Sequence, residues 1–157
     1  MKNERYITRR LPVFILALVM ALAAVGCDSN DDEESDADRF VGTWELASIT
    51  DDDGDQTATF QAIFTDVTVV FNDAGNYTMT FVPVAGSNTV LSGTYDVNES
   101  GKSVTLNVTF NEQTVPLALP YSFDGDDELT VSASAAILNP LLGTNLSGTV
   151  IITLERA

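Results

Sequence analysis

The chain has 157 residues, no histidine, one cysteine and a formal net charge of −16. One cysteine excludes an intramolecular disulfide, and the lack of histidine removes the usual general base and the commonest metal ligand. The negative charge repels phosphate backbones, which excludes nucleic acid from the expected partners.

The first 26 residues have the features of a secretory signal peptide. Basic residues at positions 2, 5, 9 and 10 precede an apolar run from Leu11 to Val25, and Gly26 is the small residue before the cleavage point. The apolar run is about 15 residues long, whereas a membrane-spanning helix needs about 20. We therefore predict a signal peptide over residues 1–26 rather than a transmembrane helix.

Cys27 follows this segment directly. The sequence Leu22-Ala23-Ala24-Val25-Gly26-Cys27 resembles a bacterial lipobox, in which the cysteine is lipidated and becomes the new N-terminus. The resemblance implies a lipid anchor at Cys27 in the membrane of a bacterial cell envelope. The alternative is an ordinary free thiol.

The residues after Cys27 bear on which membrane holds the anchor. An acidic stretch after the lipidated cysteine resembles the surface-export signals of some Gram-negative lipoproteins, whereas Asp28 directly after it resembles an inner-membrane retention signal. We expect the outer membrane in preference to the inner one.

Residues 28–39 contain seven acidic residues, one arginine and no apolar residue larger than Ala37. A segment of this composition has nothing to bury. We therefore predict a disordered acidic tether over residues 27–39 and one domain over residues 40–157. Residues 27–157 keep three basic residues, Arg39, Lys102 and Arg156, against 22 acidic ones, a net charge of −19.

From Phe40 onward, apolar and polar residues alternate with a period of two, which predicts β-strands. Short polar turns separate the strands and force neighbours to be antiparallel. The expected fold is therefore all-β, a single antiparallel up-and-down barrel of about eight strands, with an open sandwich as the alternative. The predicted strands are Val41–Thr50, Val67–Phe71, Tyr77–Phe81, Leu91–Val97, Val104–Phe110, Val115–Phe123, Leu129–Ala133 and Leu146–Leu154.

Two segments depart from this alternation. Phe60, Ile63 and Phe64 have helical spacing, which predicts a helical turn or a lid between the first two strands. Residues 135–143 form an apolar stretch in which Pro140 rules out a long helix. We expect a loop there that plugs one end of the barrel, with an exposed apolar patch as the alternative.

Four motifs occur in order along the chain: Gly42-Thr43-Trp44-Glu45-Leu46, Phe71 to Tyr77, Gly93-Thr94-Tyr95 and Ser103-Val104-Thr105-Leu106. Over residues 40–154 this set resembles the lipocalin-like domains of many bacterial lipoproteins. The resemblance implies a small β-barrel that holds an apolar ligand, and it implies no reaction. It also implies that Trp44 closes the barrel base beneath Arg156; plain core packing of Trp44 is compatible with this role.

The large residues that the alternation predicts to point into the barrel are the candidates for lining a ligand site. A cavity between them would indicate a binding protein, whereas an interior filled by them would indicate a non-catalytic structural or protein-interaction module of the envelope. We expect the first, a monomeric lipoprotein that binds or carries a small apolar molecule. The candidate residues are Tyr77, Met79, Phe81, Tyr95, Phe110, Tyr121 and Phe123.

We expect neither an enzyme nor a bound cofactor. The serine and threonine residues of the strands have no lysine or histidine partner to activate them. Asp51, Asp53 and Asp55 lie close together beside Gly54, but their spacing does not fit a calcium-binding EF-hand loop. Solvated turns are therefore favoured over a weak cation site at these three residues, and we predict no metal.

A Cys27→Ser substitution tests the anchor. The variant should lose its acyl groups and leave the membrane fraction, because stable attachment needs two or more lipid signals. An Asn30→Ala variant, which leaves the lipobox intact, should stay in the membrane fraction. Membrane partitioning of Cys27→Ser equal to that of the wild type would rule out lipidation as the anchor.

Overall fold

The computed structural model describes residues 34–110 and 113–157. The predicted signal peptide, Cys27 and residues 28–33 of the predicted tether lie outside the described residues. The helices are α1 (Asp36–Phe40), α2 (Thr57–Gln61) and α3 (Ala135–Leu142). The strands are β1 (Gly42–Asp51), β2 (Gly54–Asp55), β3 (Phe64–Phe71), β4 (Asn76–Pro83), β5 (Thr89–Asn98), β6 (Ser103–Phe110), β7 (Gln113–Asp124), β8 (Glu128–Ser134) and β9 (Thr149–Arg156).

Eight long strands form a closed antiparallel barrel. From β3 to β9 each strand pairs with the next one along the chain, and β1 pairs with both β3 and β9, which closes the sheet. The two-residue β2 only extends β1 as a hairpin. Closure leaves no long strand with an unpaired edge. The predicted all-β up-and-down barrel is therefore confirmed.

The two ends of the barrel differ. We call the end where β1 begins and β9 ends the base; Trp44 pairs with Arg156 there. The opposite end, where Thr50 pairs with Ile151 and where α2 and α3 lie, is the mouth. The buried side chains form one cluster around Phe40 and Trp44 at the base and a second around Phe60 and Phe64 at the mouth.

Helix α1 covers the base, in contrast to the disordered tether predicted through residue 39. Ser35 caps the helix, since its hydroxyl accepts a hydrogen bond from the Asp38 backbone N–H at 3.1 Å. The Asp36 carboxylate is buried, where it accepts hydrogen bonds from the Tyr121 hydroxyl and the Lys102 ammonium, each at 2.5 Å. The ordered domain therefore begins before the predicted boundary at residue 40.

The Asp36 carboxyl has a lowered pKa. Burial alone would raise it, but the hydrogen bonds from Lys102 and Tyr121 and the positive charges of Lys102 and Arg39 outweigh burial. The carboxylate therefore remains ionised in its buried position, and it ties α1 to the barrel wall.

Helix α3 replaces the loop predicted over residues 135–143. Ser134 caps its start, and Gly143, with a left-handed φ of 67°, ends it. Pro140 lies inside the helix, where it lacks the N–H that would bond to the carbonyl four residues earlier. The helix is accordingly only eight residues long. None of the described helices is long and apolar enough to cross a membrane.

The remaining differences from the predicted elements are small. Phe60 lies in α2 as the helical spacing predicted, but Phe64 already begins β3. The last strand begins at Thr149 rather than at Leu146. Leu146 is held outside the sheet because the Asn139 side chain bonds to both its backbone N–H and its carbonyl, at 2.8 and 2.9 Å.

Arg156 closes the base from below Trp44. Its guanidinium carbon lies 4.5 Å from the centre of the Trp44 ring, within the range of a cation–π contact. The guanidinium also donates to the carbonyls of Asp126, Val41 and Arg39, at 3.0, 3.0 and 2.7 Å. A single side chain thus joins the start of β1, the end of β9 and the β7–β8 turn.

Gly42 makes room for this contact. Its φ is 145°, and a Cβ atom at this position would lie 2.5 Å from Nη1 of Arg156. Two residues later, Trp44 is fully buried, and its indole N–H donates to the Phe40 carbonyl at 2.9 Å. The Gly-x-Trp spacing therefore has a physical reason: the glycine admits the arginine, and the tryptophan supplies the ring above it.

Arg156→Ala should destabilise the domain by roughly 2–3 kcal/mol, because it removes the cation–π contact and three charge-assisted hydrogen bonds. Its effect is measured as the urea midpoint of unfolding, followed by the fluorescence of Trp44, the single tryptophan. Glu155→Gln, at the exposed neighbouring position, should change stability by less than about 0.5 kcal/mol. Equal midpoints for Arg156→Ala and Glu155→Gln would contradict this role of Arg156.

Candidate functional site

A cavity of about 100 Å³ inside the barrel is the candidate site. None of the described residues that line it carries a charged side chain. Several wall residues are only partly buried although they point inward, because the empty space on one side leaves them without neighbours. These residues include Leu46, Met79, Leu91, Leu138 and Ile152.

The cavity lies between the two buried clusters. Leu106, Leu129 and Leu154 of the base cluster form part of its wall, and Phe60 and Phe81 of the mouth cluster form another part. It therefore extends along the barrel interior, from Phe71, Tyr77 and Val104 near the base to α3 at the mouth.

Helix α3 covers the mouth side of the cavity. Leu138, Leu141 and Leu142 of this helix line the cavity, whereas Ile137 is 41% exposed on its outer side. The apolar segment 135–143 thus acts as a plug, as expected, and also leaves one apolar side chain in solvent.

The loop that follows α3 is fastened to the β1–β2 hairpin. Asp51 accepts a hydrogen bond from the Ser147 backbone N–H at 2.9 Å, and Asp52 accepts one from the Thr149 N–H at 3.1 Å. The pKa of Asp51 is lowered, chiefly by the Ser147 N–H, because that bond favours the ionised carboxyl. Ionised Asp51 thus helps to hold the loop after α3 in place. This contribution to stability is complete above the pKa of the unfolded chain and is lost as the pH falls through the lower folded-state pKa.

The acidic residues considered for a cation are occupied by protein donors. Asp53 accepts from the Ser147 hydroxyl at 2.8 Å, and Asp55 accepts from the Thr57 backbone N–H at 2.9 Å. Within residues 34–110 and 113–157, no group of three or more acidic, histidine or cysteine side chains is placed to hold a metal ion. In this structure Asp51, Asp53 and Asp55 have the geometry of loop-stabilising residues.

The structure divides the predicted ligand-lining residues into two sets. Tyr77, Met79 and Phe81 of β4 line the cavity. Tyr95, Tyr121 and Phe123 do not, which corrects the prediction for these three residues. Phe110 ends β6, and its side chain lies outside what the structure describes.

The three excluded aromatic residues surround Phe40 instead. Its ring centre lies 6.2 Å from that of Tyr95, 4.9 Å from that of Tyr121 and 5.2 Å from that of Phe123. They have the inward phase that the alternation predicted, but α1 inserts Phe40 between them. This part of the interior is filled by protein and has no room for a ligand.

The aliphatic part of the cavity wall was missed by the prediction, which favoured large side chains. Leu117 and Leu119 of β7 have the same inward phase as Tyr121, and both line the cavity. The period-two alternation could have identified them. Leu138 and Leu142 of α3 could not be found in this way, because they belong to a helix.

Positive charge is concentrated at the base. Arg39 lies 4.1 Å from the centre of the Phe123 ring, Lys102 bonds to Asp36, and Arg156 lies beneath Trp44. These are the three basic residues of residues 27–157. The cavity therefore offers no cationic partner for an anionic group, and an anion entering it would lose its hydration without compensation.

Residues 40–134 match the lipocalin-like domain family. The chain is similar in structure to a lipocalin-like protein from Bacteroides uniformis ATCC 8492, with 14% sequence identity, a TM-score of 0.47, and coverage of 76% of this chain and 99% of that chain. It is also similar to an uncharacterized protein from Bacteroides eggerthii DSM 20697, with 12% identity, a TM-score of 0.47, and coverage of 75% and 99%. No curated protein matches the chain.

Proposed function

Because the chain belongs to the lipocalin-like domain family, we propose that it binds a small apolar molecule inside the barrel, as a lipoprotein of the bacterial cell envelope anchored at Cys27. The observation that carries this proposal is the apolar cavity beneath α3. A void of this kind costs dispersion energy when it is empty, and an apolar ligand recovers that energy.

The cavity volume limits the ligand. Pockets for drug-sized molecules measure roughly 300–1,000 Å³, and an engineered apolar cavity of about 150 Å³ binds benzene. The cavity of about 100 Å³ therefore accepts a molecule somewhat smaller than benzene, or the end of a longer chain that leaves through the mouth.

A second candidate function is a protein-interaction module without a ligand. It is favoured by the exposed apolar side chains at the mouth end, since such groups often mark contact surfaces. They are Ile63, Val84, Val90, Val115 and Ile137. We propose no reaction for either function, because the cavity wall presents neither a nucleophile nor a general base.

Extraction of the mature protein from its native host, followed by mass spectrometry, tests the binding function. We expect a small apolar molecule in stoichiometric amount. Ala133→Phe should abolish its recovery, because Ala133 lines the cavity and a phenyl ring would fill it. Val70→Phe, on the exposed outer face, should retain it.

Folding of both variants is checked by circular dichroism. Extracts of the folded wild-type protein without such a molecule would contradict the binding function and favour the interaction module. Equal recovery from Ala133→Phe and the wild type would place the ligand outside this cavity.

A further inference from the structure

Tyr77 is unusual among the residues that line the cavity. It is the only described residue of the wall whose side chain contains an oxygen or nitrogen atom. The residue is 2% exposed, and its hydroxyl has no hydrogen-bond partner among the described residues. Burial without a partner is unfavourable for a hydroxyl group, and a phenylalanine would avoid it.

The hydroxyl groups of the other two inward-facing tyrosines have hydrogen-bond partners within the protein. The Tyr95 hydroxyl donates to the Asn72 carbonyl at 2.9 Å, and the Tyr121 hydroxyl donates to Asp36 at 2.5 Å. All three tyrosines pack in the base cluster, but only the ring of Tyr77 lines the cavity. Only its hydroxyl lacks a hydrogen-bond partner among the described residues, and a hydrogen-bond acceptor on a bound ligand would satisfy it.

The strand pairing positions the Tyr77 ring. Tyr77 of β4 pairs with Gly93 of β5, and a Cβ atom at Gly93 would lie 3.1 Å from Cε1 of the ring. The ring thus extends over the glycine, and its other side packs toward Phe71, with ring centres 6.4 Å apart. A Cβ atom at position 93 would also lie 2.1 Å from the Asn107 carbonyl oxygen, so the strand pairing itself requires glycine beneath the ring.

We propose that the Tyr77 hydroxyl is the polar anchor of the cavity and that the ligand is a small neutral molecule, mostly apolar, with one hydrogen-bond acceptor such as a carbonyl oxygen. This inference rests on the proposed binding function and specifies its ligand class. The ligand is neutral because no cation lines the cavity, so a carboxylate would be buried unpaired. In the empty cavity the hydroxyl is covered by its neighbours, and these must shift when the ligand enters; Met79, which is flexible, lies two residues along the same strand face.

Three probes of the same shape, each smaller than benzene, test this proposal: acetone, isobutene and acetate. They are titrated by NMR, with the Met79 methyl signal as the reporter, into the full mature chain in its Cys27→Ser form. We expect acetone and isobutene to bind, and acetate to bind at least tenfold more weakly than acetone, because its charge would be buried unpaired.

Tyr77→Phe should weaken acetone binding by roughly 3–10-fold, the range for one neutral hydrogen bond, and leave isobutene binding unchanged or tighter. The same substitution should raise the thermal midpoint of the empty protein, since it removes the unpaired hydroxyl. Tyr95→Phe is the matched control: it removes a paired hydroxyl away from the cavity, so it should lower the midpoint and leave all three affinities unchanged.

The failures of the two proposals are distinguishable. If acetone and isobutene bind but Tyr77→Phe weakens both equally or neither, the role of the Tyr77 hydroxyl is refuted while the binding function stands. Carboxylate binding as tight as that of the ketone would refute the neutral ligand class. If none of the probes binds the folded wild-type protein, both this inference and the binding function fail.

Discussion

The contact between Arg156 and Trp44 is the interaction on which the rest of the barrel depends. An eight-stranded barrel needs its first and last strands to meet, and these strands pair with Trp44 opposite Arg156. The guanidinium caps the indole and bonds to three carbonyls at the base. Backbone groups at that end, which the strands cannot pair, are thereby satisfied without water.

Closing the base in this way divides the interior. Helix α1 ends at the carbonyls that Arg156 binds, and it places Phe40 among the aromatic side chains of the base. The buried Asp36 holds this helix to Lys102 and Tyr121. The space around Phe40 is therefore filled by side chains. The aliphatic side chains above it do not meet completely, and the space left between them and α3 is the cavity. The proposed ligand site is therefore the part of the barrel interior that the side chains do not fill.

The sequence predicted the barrel well because its signals are local. Alternation with a period of two identifies each strand, and short polar turns identify the antiparallel order. The base was not predictable in the same way. Asp36 is buried by partners 66 and 85 residues away in sequence, Lys102 and Tyr121, whereas its own neighbours have the composition of a tether. The burial of Asp36 brings Phe40 into the barrel, where it contacts Tyr95, Tyr121 and Phe123. The prediction that these three residues line the ligand site was wrong for the same reason.

Helix α3 shows a similar limit of local rules. Pro140 argues against helix, yet a short helix forms because Ser134 and Gly143 cap its ends and its leucines cover the cavity. Tertiary packing here outweighs the local preference of one residue. Helix α3 thus covers the cavity, and the hydrogen bonds of Asn139 and Asp51 to the loop that follows hold it in position.

The barrel is filled around Phe40 and holds an apolar cavity beneath α3. The most direct measurement of this arrangement is a crystal structure of the mature chain under xenon pressure, because xenon enters dry apolar cavities of this kind. We expect an internal xenon site in contact with Met79, Leu138 and Ile152, and none between Phe40, Tyr121 and Phe123. A barrel without internal xenon, or a xenon atom between Phe40, Tyr121 and Phe123, would contradict this arrangement.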